Sequence, residues 1–371
     1  VQYGADVIMR ANYALEHGTE ALSMCVRKAV NEMLGSLAED AGIRREDVFQ
    51  VCVVGNTCMH HLFLGISPAS LVHAPYTPAV SERLVLNAGD YGLAVQERAE
   101  LIMLSDIAGY VGADTCGCLL AIRQDQQEEI SLMIDIGTNG EMVLGNRERM
   151  VTCSTAAGPA FEGAKIECGM RGAAGAVDHV KYEDGKWNYT TVGNKPAVGL
   201  CGSGLIDLVA GLLDAGMLDE NGVLRSGQEK QGVFILVPPE RSGNERGVYL
   251  TQKDLGEVQL AKAAIAAGIQ MLMERLGITE DDICSVYIAG AFGNYMDPVS
   301  AGKIGLLPAT LVKKVKPVGN AAGEGAKIAL VNEKEMLEMD ELVRKIEFVE
   351  LAASADFQDH FIDELGFETG E

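Results

Sequence analysis

The sequence predicts an α/β protein in which one domain design occurs twice. Three observations carry that reading. Stretches of helical apolar periodicity alternate with short apolar runs that end in glycine, as strands do when they feed loops at the edge of an open sheet. Residues 42–55 align without a gap on residues 277–290: Gly, Ile, Asp, Val and Gly coincide, with Glu/Asp and Val/Ile pairs between them. The two copies stand 235 positions apart, Gly290 answering Gly55, far beyond the period of about 20–50 residues of a solenoid. Chance likeness between two helix–turn–strand units is the alternative. Finally, 371 residues suit two or three packed units better than one core.

Each element follows from its local pattern. Residues 19–41 place Leu22, Cys25, Val26, Ala29, Val30, Met33 and Leu37 at helical spacing. Val51-Cys52-Val53-Val54 reads as a buried strand ending at Gly55. A helix starts near Met59, and Pro68, Pro75 and Pro78 mark an irregular connection. Residues 101–124 read as strand, turn at Gly109 and Gly112, and helix. A new unit opens near Ile130: strand 132–136, turn 137–140, then strands 141–144 and 150–153, with Asn-Gly between apolar residues as the hairpin signal. Residues 177–191 are a polar excursion or a hairpin around Asp184-Gly185. Cys201-Gly202-Ser203-Gly204 enters a helix at 205–217, a long amphipathic helix covers 255–276, and the strand 286–289 ends at Gly290. The second copy thus holds hairpin, long helix, strand and glycine loop, whereas the first starts at its helix. With Val1 at its head, the chain is expected to begin inside the first copy. The expected domains are 1–128, 129–345 and a C-terminal extension, 346–371.

Composition narrows the function. A formal charge of −23 argues against nucleic acid, whose phosphates need clustered Lys and Arg. The longest apolar stretch, 199–218, is interrupted by Asp207 and Asp214, so no membrane span is expected. No basic, apolar leader is visible, and a cytoplasmic protein is expected. Nine cysteines scatter through apolar segments without a C-x-x-C or four-Cys spacing, so reduced thiols are expected rather than a cluster.

Asp135-Ile136-Gly137-Thr138-Asn139-Gly140-Glu141 carries the sharpest chemistry. A carboxylate at a strand end can hold a hydrated Mg²⁺; Gly137 and Gly140 admit a phosphate close to the backbone, and Thr138 and Asn139 add donors. A plain hairpin with a surface Asp is the alternative. Gly290-Ala291-Phe292-Gly293-Asn294 follows the second strand and leaves room for a planar ring, unless it is an ordinary βα loop. Gly202, Ser203 and Gly204 open a helix and suit an anion, although Ser203 can be a mere cap. His60-His61 lacks a carboxylate at ligand spacing. Glu162 can polarise a water and Arg171 can meet a phosphate or a partner's acid, against solvated charges as the bland reading.

Taken together these strings resemble a known superfamily. Asp135-Ile136-Gly137-Thr138-Asn139-Gly140 resembles the second phosphate motif, and Ile288-Ala289-Gly290-Ala291-Phe292-Gly293 the adenosine motif, of the ASKHA proteins: actin, sugar and acetate kinases, and heat-shock chaperones. More narrowly, the chain resembles the reductive activators of corrinoid proteins, through Val54-Gly55-Asn56-Thr57, Tyr110-Val111-Gly112-Ala113-Asp114, Ala157-Gly158-Pro159-Ala160-Phe161-Glu162-Gly163, Cys201-Gly202-Ser203-Gly204-Leu205-Ile206-Asp207, Gly290-Ala291-Phe292-Gly293-Asn294-Tyr295 and Phe357-Gln358-Asp359. The resemblance implies duplicated actin-like (ribonuclease H-like) ATPase domains flanking a nucleotide cleft. It implies ATP and Mg²⁺ as cofactors, with Asp135 as metal-side and catalytic residue; Glu162 is expected as a second catalytic group on its own chemistry. Gly137, Thr138, Asn139, Gly140, Gly202, Ser203, Gly204, Gly290, Ala291, Phe292, Gly293 and Asn294 are then the nucleotide contacts. The implied activity is ATP-driven reduction of Co(II) to Co(I) on a corrinoid partner protein, by a clamp closing on Mg–ATP. The electron is expected from a [2Fe–2S] ferredoxin domain preceding this chain, and a homodimer is expected. A small-molecule kinase, a non-hydrolysing nucleotide-gated binding module, and a radical-dehydratase activator using Cys153 or Cys168 are the rivals.

Overall fold

The computed structural model describes residues 3–4, 6–225, 232–352 and 354–367, without the side chains of Ala291 and Phe292. The chain packs as two compact units: residues 1–128, 146–150 and 320–348, and residues 129–145, 151–319 and 349–371.

In the first unit the helix Glu20–Ala41 ends at Gly42, whose φ of 66° lets its N–H reach back to the carbonyls of Ala38 and Glu39. A single turn, Arg45–Asp47, follows, closed by the Asp47 carboxylate accepting from the Arg44 backbone N–H at 3.1 Å. The strand Gln50–Val53 then runs parallel to Glu100–Met103, which pairs antiparallel with Leu84–Asn87. Gln50–Val53 lies at an edge of this three-stranded sheet. Only its Val51 is buried, because an edge strand has a neighbour on one side alone. On the long helix Val26, Val30 and Leu34 pack with Phe63, Leu101 and Met103. Cys25, Met33 and Leu37, expected in the same stripe, are exposed: a row at i, i+4 covers one helix face, and the sheet meets only that face. Helices Ala113–Ile122 and Ala321–Val331 cross glycine on glycine, so close that a Cβ added at Gly325 would stand 1.9 Å from the Gly117 carbonyl oxygen.

The second unit is built on a sheet in the order Val315–Gly319, Ile283–Ala289, Ile130–Ile136, Gly140–Gly145, Met150–Thr155. The first three strands are parallel, and Ile130–Ile136 pairs antiparallel with Gly140–Gly145. The helix Gln252–Leu276 buries Val258, Ala261, Ile265, Ile269 and Leu272 in a core with Ile134, Met142, Leu144 and Ile288. Its start is a capping box between Thr251 and Asp254. Its end is Gly277, φ 69°, then a turn closed by Asp282 on the Thr279 N–H at 2.8 Å, then the strand Ile283–Ala289. Helix, left-handed glycine, carboxylate-closed turn and strand therefore recur at the residues that the gap-free alignment pairs, Gly42 with Gly277 and Asp47 with Asp282.

The segment around Asp184-Gly185 is a hairpin of Ala176–Glu183 and Lys186–Thr191. Both turn residues have positive φ, 51° and 75°, as a primed turn requires. The short strand Gly199–Leu200 pairs parallel with Ala176–Glu183 and leads into the helix Gly202–Asp214. No helix among the described residues is long and apolar enough to cross a membrane.

Candidate functional site

Asp135 is the penultimate residue of its strand, and Ala289 is its register partner on the neighbouring parallel strand. Both strands end at the same edge of the sheet, where open α/β folds bind ligands. Gly290 follows at once with φ 86°, and a Cβ added there would lie 2.8 Å from Asp135 Oδ1. The carboxylate thus fills space that only a glycine leaves. Beyond Asp135 the chain turns tightly, the Gly137 N–H donating to the Asn139 carbonyl at 2.9 Å. The Thr138 hydroxyl donates to Glu162 Oε1 at 3.0 Å, which ties the turn after Asp135 to the loop carrying Glu162.

These groups share one cavity of about 510 Å³, within the second unit. Asp135, Gly137, Glu162, Gly202, Ser203 and Gly290 line it, together with Phe161, Met170, Arg171 and Tyr295. The size falls in the range of about 300–1,000 Å³ usual for small-molecule sites. One wall is the start of the helix Gly202–Asp214. Its N-cap is Cys201 and no side chain caps it. Ser203 is buried, and its hydroxyl donates to the Asp178 carbonyl at 2.8 Å. Further along this helix the buried Asp207 accepts from the Val180 N–H at 3.3 Å and meets His179 Nδ1 at 3.1 Å. Burial pushes its carboxyl above the usual range, against the hydrogen bonds that favour the anion.

Other expected site residues stand off the cavity wall. Gly140 is buried in its strand, where a Cβ would meet Thr155 and Ile265. Gly204 packs on the Val177 carbonyl at 2.2 Å from the same added atom, and Gly293 on that of Ile288 at 2.6 Å. Asn294 lies beside Gly319, and Asn139 closes the turn through its backbone. The side chains of Ala291 and Phe292 lie outside the described residues. The sequence reading did not single out Met170; the only signal was a large apolar residue between Gly169 and Arg171-Gly172.

The two histidines each serve the fold of the first unit. His60 faces the buried Asp106 at 3.3 Å. His61 donates from Nδ1 to the Thr57 carbonyl at 2.8 Å and accepts from the Ala79 N–H at 2.9 Å. No group of three or more His, Cys, Asp or Glu suited to a metal ion occurs among the described residues. Cys153 is buried and Cys168 half-buried, and burial raises both thiols, which disfavours the thiolates that a bridging cluster needs.

Comparison with known proteins agrees with this architecture. Residues 1–127 match the family described as the RACo middle region, and residues 129–371 match the C-terminal domain of RACo, the ASKHA domain. The corrinoid activation enzyme RamQ of Eubacterium limosum is 35% identical over 380 residues, covering 98% of this chain and 64% of that protein. The [Co(II) methylated amine-specific corrinoid protein] reductase of Methanosarcina barkeri is 27% identical, covering 99% and 71%. A solved structure, a reductive activator for corrinoid, iron–sulfur protein, superposes with a TM-score of 0.90 at 38% identity, covering 99% of this chain and 60% of its own. The chain thus spans about two thirds of the length of these relatives. The fold is the actin-like α/β fold of the ASKHA proteins, and the chain belongs to the RACo family, of which it carries the middle region and the C-terminal ASKHA domain.

Proposed function

We propose that this chain is the ATP-binding module of a reductive activator that takes a corrinoid protein from Co(II) to Co(I). The observation that carries the reading is the placement of Asp135 against Gly290, at the adjoining ends of two parallel strands, on the wall of a cavity that also receives an uncapped helix start. That donor set suits Mg–ATP: a carboxylate for a hydrated Mg²⁺, glycines that admit phosphate to the backbone, and helix N–H groups for the anion. Bound Mg²⁺ would supply neutralisation of the triphosphate charge. Asp135 orients the metal side, and Glu162, steadied by Thr138, polarises a water. The nucleotide's unequal affinity for two conformations bounds what it can drive uphill. We assign electron entry to a [2Fe–2S] donor outside these residues. Domain limits of 1–128, 129–345 and 346–371, a homodimer and a cytoplasmic location belong to the same proposal, the homodimer being read by sedimentation equilibrium.

The test is anaerobic spectroscopy of a Co(II) corrinoid protein with the chain, an iron–sulfur reductant and Mg–ATP. Co(I) bands that require ATP and vanish with Asp135→Ala support the reading. Phosphate transfer to a metabolite without Co(I) would leave a kinase of the same fold. Tight ATP binding with no turnover and no Co(I) would leave a nucleotide-gated binding module.

A further inference from the structure

Two carboxylates, Asp135 and Glu162, line the cavity, and among the described residues Arg171 is the single cationic residue on its lining. A triphosphate entering such a cavity meets repulsion that only a bound metal or a fixed cation relieves.

The backbone leading into Arg171 is held from two sides. The Met170 N–H donates to the Leu200 carbonyl and the Leu200 N–H to the Cys168 carbonyl, each at 2.8 Å, so the loop extends the strand that enters the Gly202 helix. On its other side Gly169 presses on Gly163: an added Cβ would stand 2.2 Å from the Gly163 carbonyl oxygen, one residue from Glu162. Lys165, the neighbouring cation, is engaged with Glu257 at 3.1 Å. Arg171 is exposed, and among the described residues its guanidinium makes no hydrogen bond or ion pair. An anchored loop that presents an unengaged planar fork on the lining of a cavity that two carboxylates also line is arranged for a phosphate, which a guanidinium grips through two N–H groups.

We propose that Arg171 binds the terminal phosphate of the nucleotide and makes the site prefer the triphosphate over the diphosphate. The inference rests on the nucleotide reading of this cavity. It is tested by calorimetric titration of the chain with Mg–ATP and Mg–ADP, in the wild type, Arg171→Ala and Arg171→Lys. Arg171→Ala is expected to weaken Mg–ATP by roughly 10- to 100-fold and Mg–ADP by less than about threefold, the size of a charge-assisted hydrogen bond. Arg171→Lys should recover part of the loss, since it restores charge but not the fork. Equal losses for ATP and ADP, or no loss for either, overturn the proposal while the nucleotide reading stands. A wild-type chain that binds neither nucleotide overturns both.

Discussion

Gly290→Ala is the perturbation that separates room for a carboxylate from stability of the fold. The new methyl group would sit 2.8 Å from Asp135 Oδ1 and 3.4 Å from the Ile136 carbonyl oxygen. The second distance is ordinary contact, so relief comes from swinging the Asp135 carboxylate aside rather than from moving a strand. A φ of 86° at a residue with a Cβ adds about 1–2 kcal/mol of backbone strain. The fold should therefore lose about 1–2 kcal/mol, or roughly 2–4 °C of Tm per kcal/mol for a unit of this size. Mg–ATP affinity should fall on the order of 10- to 100-fold, as though Asp135 itself had been removed. Combining Gly290→Ala with Asp135→Ala closes the cycle, read by calorimetric titration and thermal unfolding. Once the carboxylate is gone the methyl group has nothing to displace, and the double variant should bind Mg–ATP no worse than Asp135→Ala alone. Losses in binding free energy that add within about 0.5 kcal/mol, or a Gly290→Ala chain with wild-type affinity, would refute the claim that Gly290 exists to seat Asp135.

Two further expectations concern the scaffold. Gly42 and Gly277 close equivalent helices at φ 66° and 69° with open space around the missing side chain, so Gly42→Ala and Gly277→Ala should each cost about 1 kcal/mol in urea unfolding; a cost above about 2 kcal/mol at one site would show that the two caps are not alike. Asp207 has a folded pKa raised by burial, so the folded state holds its proton more tightly than the unfolded chain. Its contribution is then present below the ordinary Asp value of about 3.9 and is lost as pH rises through the folded value. Asp207→Asn should flatten that part of the stability–pH curve, and identical slopes for both proteins would count against the assignment.

Much of this architecture was legible in the chain. The pairing of residues 42–55 with 277–290 predicted two copies of a helix–glycine–turn–strand unit, because a left-handed cap and a carboxylate-closed turn are local devices written in adjacent residues. Asp135 at a strand end and the glycine strings after each strand marked the cavity for the same reason. Local pattern could not say which glycines meet a ligand. Gly137, Gly202 and Gly290 line the cavity, whereas Gly140, Gly204 and Gly293 are small because Ile265, the Val177 carbonyl and the Ile288 carbonyl press on them. All six look alike in sequence, since a missing side chain records only that space is taken, not by what. Likewise the contact of Gly117 with Gly325, the outward turn of Met33 and Leu37, and the placing of Asp135 and Arg171 on the lining of one cavity depend on tertiary packing. Periodicity names a helix and its apolar face; only packing decides what that face, or that cation, comes to meet.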